Sequence, residues 1–219
     1  KAELTKTSMP EASKTATATA SLRLRREAAW LGRLHGAGFP SLMALGESAH
    51  HVFLVMELAG ENTLAQRISE REVSESDALA YARTLARALA RMHGLGVIHR
   101  DLKPDNIVLS KKNEAAIIDF DLATAVVDVA ENPVGSFAYA PPEQNGFAKT
   151  PVDHRADLYA LGAVLYETLA GRPPFVASDI GEVMRMHAFE PVPALTTLRS
   201  NIKAEWEPIV HKLLEKDPN

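Results

Sequence analysis

The sequence contains no cysteine, no long apolar run and no large excess of either charge. Without cysteine, disulfides, thiolate metal sites and cysteine nucleophiles are excluded. No run approaches the roughly 18 apolar residues that cross a bilayer, and the polar residues after Lys1 do not resemble a signal peptide. The net charge of −4 gives no basic footprint for nucleic acid or an anionic membrane. These absences favour a soluble cytoplasmic domain, and the ends at Lys1 and Asn219 favour a piece of a longer chain.

The apolar residues suffice for a large core and follow a mixed order of strands and helices. Hydrophobic residues make up 46% of the 219 residues, which suits one large domain or two small lobes. Helical spacing of apolar residues predicts helices at 21–35, 74–93, 156–170, 178–187 and 204–216. Short apolar runs predict strands at 41–45 and 52–58, and two more flank a turn at 107–109 and 115–118. The Thr-Ala repeat at 15–20 predicts a loop, and 122–142 a long irregular loop. Strands with one helix, followed mostly by helices, predict a two-lobed α+β fold.

The most informative segment is His-Arg-Asp-Leu-Lys-Pro-Asp-Asn at 99–106. It resembles the catalytic loop of protein kinases, and the Lys-Pro after the leucine is typical of the serine/threonine branch. The resemblance implies that Asp101 meets the hydroxyl that attacks phosphate, that Lys103 neutralises charge on the transferred group, and that Asn106 binds a metal on the nucleotide. The alternative is a polar turn without catalytic function.

A second motif, Ile-Ile-Asp-Phe-Asp at 117–121, resembles the metal-binding Asp-Phe-Gly segment of the same family. The resemblance implies that Asp119 holds magnesium against the phosphates and that Phe120 packs beneath the small-lobe helix. Asp121 replaces the usual glycine, which tolerates positive φ. Because aspartate reaches the left-handed region only at some cost, the replacement is compatible with metal binding but argues against a flipped, inactive loop.

A third motif, Gly-Ser-Phe-Ala-Tyr-Ala-Pro-Pro-Glu at 135–143, resembles the segment on which kinases dock their protein substrate. The resemblance implies that Ser136 bonds to Asp101 and Lys103 and so ties the docking segment to the catalytic carboxylate. Glu143 normally pairs with an arginine beyond a Lys-Asp-Pro, and the sequence ends just after that tripeptide. The alternative for Glu143 is a solvated loop acid.

A fourth motif, Asp-Leu-Tyr-Ala-Leu-Gly at 157–162, resembles the start of the buried central helix of the large lobe. A buried carboxylate needs partners. The resemblance implies that Asp157 accepts backbone amides of the catalytic loop and thereby fixes Asp101 in place. The alternative is an N-cap acid.

Fewer residues support the small lobe. Glu27 stands in the first helix, where the family has the acid that pairs with the nucleotide-binding lysine. The resemblance further implies that Met56 is the gatekeeper, that Glu57 and Ala59 offer backbone groups to adenine, and that Val108 forms the apolar floor beneath it. Each apolar residue of this set has the alternative of being plain core, and Glu27 of being an exposed helix acid.

The resemblance also predicts a stack of four side chains through both lobes. Leu31, Leu45, His99 and Phe120 would form this stack, contiguous and buried.

The lysine partner of Glu27 and the phosphate-binding loop are not identified by the sequence. Lys1, Lys6 and Lys14 all precede Glu27, and none is favoured strongly. No Gly-x-Gly-x-x-Gly precedes the first helix, in which Gly32 is the first glycine.

The resemblance covers about residues 22–218 and divides the chain into a partial small lobe at 1–58 and a large lobe at 59–219, truncated near its last helix. It implies ATP and magnesium as cofactors, a protein substrate with a serine or threonine hydroxyl, and further domains of the same longer chain. The motifs also look like the kinase-like module at the front of large multidomain signalling proteins, which also carry sensor and histidine-kinase modules.

Three functions remain open at this stage. The catalytic and metal-binding residues favour an active kinase. The missing phosphate loop, the unidentified lysine and Asp121 favour a pseudokinase that regulates attached domains. A small-molecule kinase of related fold is the third, against which the docking segment at 135–143 argues.

The loop after the second motif suggests how the kinase is controlled. Many kinases with an arginine before the catalytic aspartate need a phosphate on this loop. The segment 122–134 offers one hydroxyl, Thr124, but carries two acids. We expect Arg100 to pair with Glu131 or Asp128, so that the loop is ready without phosphorylation. The alternative is that both acids are solvated and the loop is mobile.

Overall fold

The computed structural model describes residues 14–48, 51–71, 73–125, 136–199 and 202–218, with side chains from residue 20 onward. The helices are α1 (Lys14–Arg33), α2 (Leu64–Ser69), α3 (Glu75–Gly94), α4 (Arg155–Ala170), α5 (Ile180–Phe189), α6 (Leu195–Leu198) and α7 (Trp206–Leu213). The strands are β1 (Leu42–Glu47), β2 (Val52–Met56), β3 (Asn62–Thr63), β4 (Val97–Ile98), β5 (Ile107–Leu109), β6 (Ala115–Ile117) and β7 (Thr124–Ala125). A 3-10 turn at Pro104–Asn106 precedes β5.

Small antiparallel sheets place the two most informative motifs side by side. β5 pairs with β6, and β3 pairs with the other edge of β5. β4 pairs with β7. The segment 99–106 runs between β4 and β5, and the segment 118–123 runs between β6 and β7. The strand before the first loop, β4, pairs with the strand after the second loop, β7. The strand after the first loop, β5, pairs with the strand before the second loop, β6. Both loops therefore lie at the same edge.

Helix α3 begins one residue after the predicted start at 74, because Ser74 caps it. Ser74 is the N-cap and accepts from the amide of Asp77, whose carboxylate accepts from the amide of Ser74. This capping box satisfies two amides that the helix cannot bond internally. The buried face of α3 follows the helical period and comprises Ala78, Tyr81, Leu85, Ala88, Leu89 and Met92. Helix α4 is buried nearly all round, as its apolar composition predicts.

One buried cluster connects the N-terminal elements to the C-terminal helices. It contains Leu31 and Leu34 around the end of α1, the buried face of α3, most of α4, and Val210 in α7. Helices α4 and α7 approach closely at Gly162, where an added Cβ would lie 2.7 Å from the Cβ of Leu213. The α+β fold class is therefore confirmed. Within the described ranges, no helix combines the length and apolarity that crossing a membrane requires.

Several predicted boundaries differ from the structure. The prediction of a loop at 15–20 was wrong, because α1 begins at Lys14 and includes the Thr-Ala repeat. Alanine is the strongest helix former, and the repeat contains no glycine or proline to stop a helix. Helix α5 begins two residues later than predicted, since Asp179 caps it by accepting from the amide of Glu182. Of the predicted loop at 122–142, residues 124–125 form β7 and 126–135 lie outside the described residues.

The predicted four-residue stack is wrong at one position. Leu31, His99 and Phe120 are each no more than 2% exposed, but Leu45 is 41% exposed. Leu45 lies opposite Leu54 in β2. Leu54 packs against the buried cluster, whereas Leu45 does not belong to it. Among the described residues β1 and β2 form a two-stranded sheet, and Leu45 keeps its contact with solvent there.

Candidate active site

The loop at 99–106 is held from below by one buried carboxylate. Asp157, at 1% exposure, accepts the amide of His99 at Oδ2 and the amide of Arg100 at Oδ1, both over 2.9 Å. The ring Nε2 of His93 lies 2.8 Å from the same Oδ2. The predicted contact between Asp157 and the loop amides is confirmed. His93 was missed, because a single histidine near the end of α3 gives no signal in the sequence.

The anchored loop contains a residue, Arg100, whose backbone conformation is rare for residues other than glycine. Arg100 has φ +67°, and its carbonyl accepts from Nε2 of Gln144 over 2.7 Å. Backbone in this region is strained and persists only where surrounding contacts hold it. Those contacts are the bonds from two loop amides to Asp157 and the bond from Gln144 to the carbonyl of Arg100. They fix the direction of the next residue, Asp101.

Asp101 lies at the centre of the predicted catalytic group. Its Oδ2 accepts from Nζ of Lys103 over 2.9 Å and from Nδ2 of Asn106 over 3.2 Å. Its Oδ1 accepts from the amide of Ser136 over 2.7 Å. Nζ of Lys103 also donates to Oγ of Ser136 over 3.0 Å. The structure therefore brings Asp101, Lys103 and Asn106 together, and the predicted contacts of Ser136 with Asp101 and Lys103 are confirmed.

The second motif lies directly beside this group. The amide of Ile118 donates to the carbonyl of Asn106 over 2.9 Å. The ring of Phe120 is fully buried and packs edge-on against His99, with 5.1 Å between ring centroids. Asp119 itself has φ +65°. The bond from Ile118 and the ring contact hold Asp119 next to the loop at 99–106.

The chemistry of the donor atoms suits a hard cation between the two motifs. Nδ2 of Asn106 is bonded to the carbonyl and carboxylate of Asp101, which leaves Oδ1 as the atom for a cation. Asp119 contributes a carboxylate. Carboxylate and amide oxygens are ligands that Mg²⁺ takes together with nucleotide phosphates. Asn106 and Asp119 therefore fit the predicted metal pair.

Asp121 does not need the backbone freedom of the glycine that it replaces. Asp121 does not have positive φ, whereas Asp119 does. Its Oδ2 pairs with Nη1 of Arg23 in α1 over 3.1 Å, and its amide donates to Oδ1 of Asp119 over 3.3 Å. The expected strain at Asp121 is thus absent.

Glu27 lies on the face of α1 turned toward the second motif. The amide of Phe120 is 3.5 Å from Oε1 of Glu27. Burial raises the pKa of Glu27, and the neighbouring charge of Asp119 raises it further. Lys1 and Lys6, and the side chain of Lys14, lie outside the described residues. A cation beside Glu27 would stabilise its charged carboxylate against burial and the charge of Asp119. This agrees with a lysine partner for Glu27 but does not identify which lysine it is.

The residues predicted to bind adenine lie where β2 ends and β5 runs past. The amide of Glu57 donates to the carbonyl of Ser41 over 2.9 Å, which leaves the carbonyl of Glu57 as its backbone group for a ligand. Oε2 of Glu57 accepts from Oγ of Ser41 over 2.7 Å, and this contact lowers the pKa of Glu57. Met56 packs against the buried cluster, and Val108 in β5 is half-buried. Ala59 follows in the segment between β2 and β3.

The backbone after Ala59 passes unusually close to β5. An added Cβ on Gly60 would lie 2.6 Å from the carbonyl oxygen of Leu109. The amide of Glu61 donates to that same oxygen over 3.2 Å. This close approach places the segment after β2 directly over the strand that contains Val108.

Glu143, at the end of the docking segment, is buried rather than solvated. Burial raises its pKa, Asp153 raises it further, and the charge of Arg155 lowers it. Arg155 pairs with Asp153 over 2.8 Å, and its Nη1 donates to the carbonyl of Pro218 over 2.8 Å. An arginine at the start of α4 therefore lies near Glu143 in this chain.

Arg100 provides the group expected to hold the long loop. It is buried, and its Nε and Nη2 have no hydrogen-bond partner among the described residues. Burial lowers its pKa. Asp128 and Glu131 lie outside the described residues, so their pairing with Arg100 stays a prediction.

Comparison with known proteins agrees with the geometry. The family model described as "Protein kinase domain" matches residues 5–219. Serine/threonine-protein kinase PknH of Mycobacterium bovis is 33% identical over 202 residues, which cover 90% of this chain and 33% of PknH. PknE of Mycobacterium tuberculosis is 32% identical over 201 residues, covering 90% of this chain and 35% of PknE. PknD of the same species is 31% identical over 202 residues, covering 90% of this chain and 30% of PknD. The chain thus spans about a third of the length of these relatives.

Proposed function

Since the chain belongs to the protein kinase family, we propose that it transfers the γ-phosphoryl group of ATP to serine or threonine hydroxyls of a protein. The observation that carries this proposal is the position of Lys103. Its Nζ lies 2.9 Å from the carboxylate of Asp101 and 3.0 Å from the hydroxyl of Ser136. A carboxylate, a cation and the docking segment for the substrate therefore meet at one point.

Each of these groups has a role in phosphoryl transfer. Asp101 orients the substrate hydroxyl and accepts its proton as that oxygen forms a bond to the γ-phosphorus, while the bond from phosphorus to the oxygen of the ADP leaving group breaks. Lys103 neutralises charge on the transferred group. Magnesium, when bound, neutralises charge on the nucleotide phosphates, and Asn106 and Asp119 are the residues that would hold it.

The nucleotide base has a matching surface at the other end of the site. The carbonyl of Glu57 and the amide of Ala59 are the backbone groups proposed for adenine, with Met56 and Val108 as apolar neighbours. Glu27, raised in pKa by burial and by Asp119, is the proposed partner of a nucleotide-binding lysine.

The wider setting of the reaction is also a proposal. The partners are a protein substrate and further domains of a longer chain, in keeping with relatives about three times as long as this chain. We place the reaction in the cytoplasm, because it consumes ATP. Membership of a multidomain sensor protein, and the division into lobes at 1–58 and 59–219, stay predictions.

The test uses the full-length protein that carries this chain, with ATP, magnesium and myelin basic protein as a generic serine/threonine substrate. Asp101→Asn is expected to lower kcat by about a hundredfold or more, because general-base assistance is lost. Asp119→Asn is expected to inactivate by weakening magnesium binding. The control is Asp105→Asn, the same chemical change at an exposed position of the same loop, which should leave kcat unchanged.

The outcomes separate a kinase from a regulatory pseudokinase. Undiminished turnover in Asp101→Asn would overturn the catalytic assignment. Binding of ATP by the wild type without any transfer would support the pseudokinase. Transfer to a small-molecule alcohol but not to protein would support the third function.

A further inference from the structure

Beneath the docking segment lies a buried chain of polar side chains that the catalytic group does not use. His187 of α5 is 0% exposed, and Tyr159 of α4 is 3% exposed. The hydroxyl of Tyr159 lies 2.9 Å from Nδ1 of His187, and Nε2 of His187 lies 3.0 Å from the carbonyl oxygen of Ala138. Nζ of Lys216 lies 3.3 Å from the hydroxyl of Tyr159. The side chains come from two helices and from the segment after α7.

The chemistry of the groups gives this chain one direction. Burial, and after it the charge of Lys216, lower the pKa of His187 to about 4, so its ring is neutral near neutral pH. A carbonyl only accepts, so Nε2 carries the proton and donates to Ala138. Nδ1 must then accept from the hydroxyl of Tyr159, whose oxygen accepts from the ammonium of Lys216. Both ring nitrogens of His187 and the hydroxyl of Tyr159 therefore have matched partners.

The ammonium at the far end is held by aromatic rings. Nζ of Lys216 lies 4.3 Å from the ring centroid of Phe175 and 5.8 Å from that of Tyr159. Burial lowers the pKa of Lys216 to about 8, and the charge of Glu190 opposes this shift. Cations over aromatic faces are stabilised where water is excluded. The aromatic rings thus hold the ammonium of Lys216 in place at the start of the hydrogen-bonded series.

Its other end, Ala138, lies two residues along the chain from Ser136, which bonds to the proposed catalytic carboxylate. Ala138 follows Ser136, whose amide donates to Asp101 over 2.7 Å. The amide of Tyr139 donates to the carbonyl of Ser136 over 2.9 Å, and the hydroxyl of Tyr139 donates to Glu167 of α4 over 2.7 Å. The segment 136–139 is therefore held at Asp101 on one side and at α4 and His187 on the other.

Buried polar groups are paired in nearly all proteins, so pairing alone would not distinguish this chain from ordinary core. The distinction is where the chain ends. It does not close within the helices but bonds to irregular backbone on the side where a protein substrate lies. The bond between Tyr159 and His187 joins two helices, whereas the bond from Nε2 of His187 to Ala138 restrains the backbone of the docking segment.

We infer that Lys216, Tyr159 and His187 are positioning residues that fix the carbonyl of Ala138. They thereby set the affinity for the protein substrate and leave the affinity for ATP unchanged. This inference rests on the proposed kinase function, because it assigns a role within that reaction.

The experiment compares variants of the full-length protein by steady-state kinetics with myelin basic protein and ATP. His187→Leu removes both ring nitrogens and should raise KM for the protein substrate about fivefold, as expected for loss of a buried hydrogen bond. KM for ATP should stay unchanged. His187→Gln places an amide donor near the position of Nε2 and should restore most of the lost affinity.

A second pair of variants removes only a hydroxyl. Tyr159→Phe should also raise KM for the protein substrate. The matched control is Tyr81→Phe, since Tyr81 is equally buried in α3 and its hydroxyl bonds to Asn113, away from the docking segment. Equal KM values for the protein substrate in these two variants would overturn the inference, as would an equal rise of both KM values in His187→Leu.

Hydrogen exchange of the segment 136–143 gives a readout that does not depend on catalysis. Its amides should exchange faster in His187→Leu than in wild type and return toward wild type in His187→Gln. If wild type transfers no phosphate but exchange responds in this way, the kinase proposal fails while the positioning role of Lys216, Tyr159 and His187 stands. If wild type is active and neither exchange nor KM responds, the inference about these three residues fails alone.

Discussion

Replacing His187 by glutamine removes a group whose protonation is coupled to folding. His187 is fully buried, and its pKa falls from the ordinary 6.5 to about 4, chiefly because burial disfavours the imidazolium and secondarily because Lys216 is close. Between these values the folded protein binds fewer protons than the unfolded chain. The stability due to the neutral ring is therefore fully present above about pH 6.5, is lost progressively as pH falls below that value, and is gone once pH has fallen through about pH 4.

The size of the effect follows from the shift. A difference of about 2.5 pKa units corresponds to about 3 kcal/mol. About 2 kcal/mol of this should be lost between about pH 7 and about pH 5. The titratable groups that face His187 are Tyr159 and Lys216. The pKa of Tyr159 is raised by burial, and the pKa of Lys216 is lowered by burial to about 8. Neither changes charge in this interval, and Glu190 is present in both proteins.

The assay is urea unfolding of wild type and His187→Gln at both pH values. The free energy of unfolding of wild type should fall by about 2 kcal/mol more than that of the variant. Other acids titrate in both proteins, so their effects cancel in this comparison. Tyr159→Phe keeps the imidazole and serves as the control that retains the pH dependence. An identical pH dependence in wild type and His187→Gln would refute the reasoning.

Three further changes test other contacts. Phe120→Ala should lower the free energy of unfolding by roughly 3–5 kcal/mol, since a fully buried ring is lost. Asp157→Ala leaves three donors without their acceptor and should cost about 3 kcal/mol or more in urea unfolding. If Arg100 pairs with an acid of the long loop, Glu131→Lys should greatly lower kinase activity, whereas phosphatase treatment of wild type should not.

Controls for these changes are available in the chain. Phe189 is 65% exposed, so Phe189→Ala should change stability by less than about 0.5 kcal/mol. A loss at Phe120 no larger than at Phe189 would contradict the packing described above. Wild-type stability of Asp157→Ala would show that its three bonds do not stabilise the fold. Activity that vanishes on dephosphorylation and returns with autophosphorylation at Thr124 would rule out the pairing with Glu131.

Local patterns predicted much of the fold and of the candidate site. The helical stripe of α3 depends on neighbours in sequence, so the predicted start at 74 lies one residue from the observed start at Glu75. The segment 99–106 carries its functional groups within eight positions, and their contacts agree with the family resemblance. A buried carboxylate requires donors, and the family resemblance implied that loop amides supply them to Asp157, as the structure shows.

Contacts between distant segments could not be predicted from local patterns. Tyr159, His187 and Lys216 are 28 to 57 positions apart, and no pattern in the local sequence links them. The exposure of Leu45 depends on which residues cover the β1–β2 pair, and no pattern within the strand specifies that. The backbone of Asp121 was expected to need the left-handed region by analogy with glycine, whereas Asp119 adopts it instead.

The close approach of Gly60 to β5 has a consequence at the level of the gene. A Cβ at this position would lie 2.6 Å from the carbonyl oxygen of Leu109, and backbone atoms cannot yield as a flexible side chain can. Every missense change of a glycine codon adds at least this atom. Among random variants selected for folding, position 60 should therefore keep synonymous changes and lose missense ones, so that its codon drifts only at the third base.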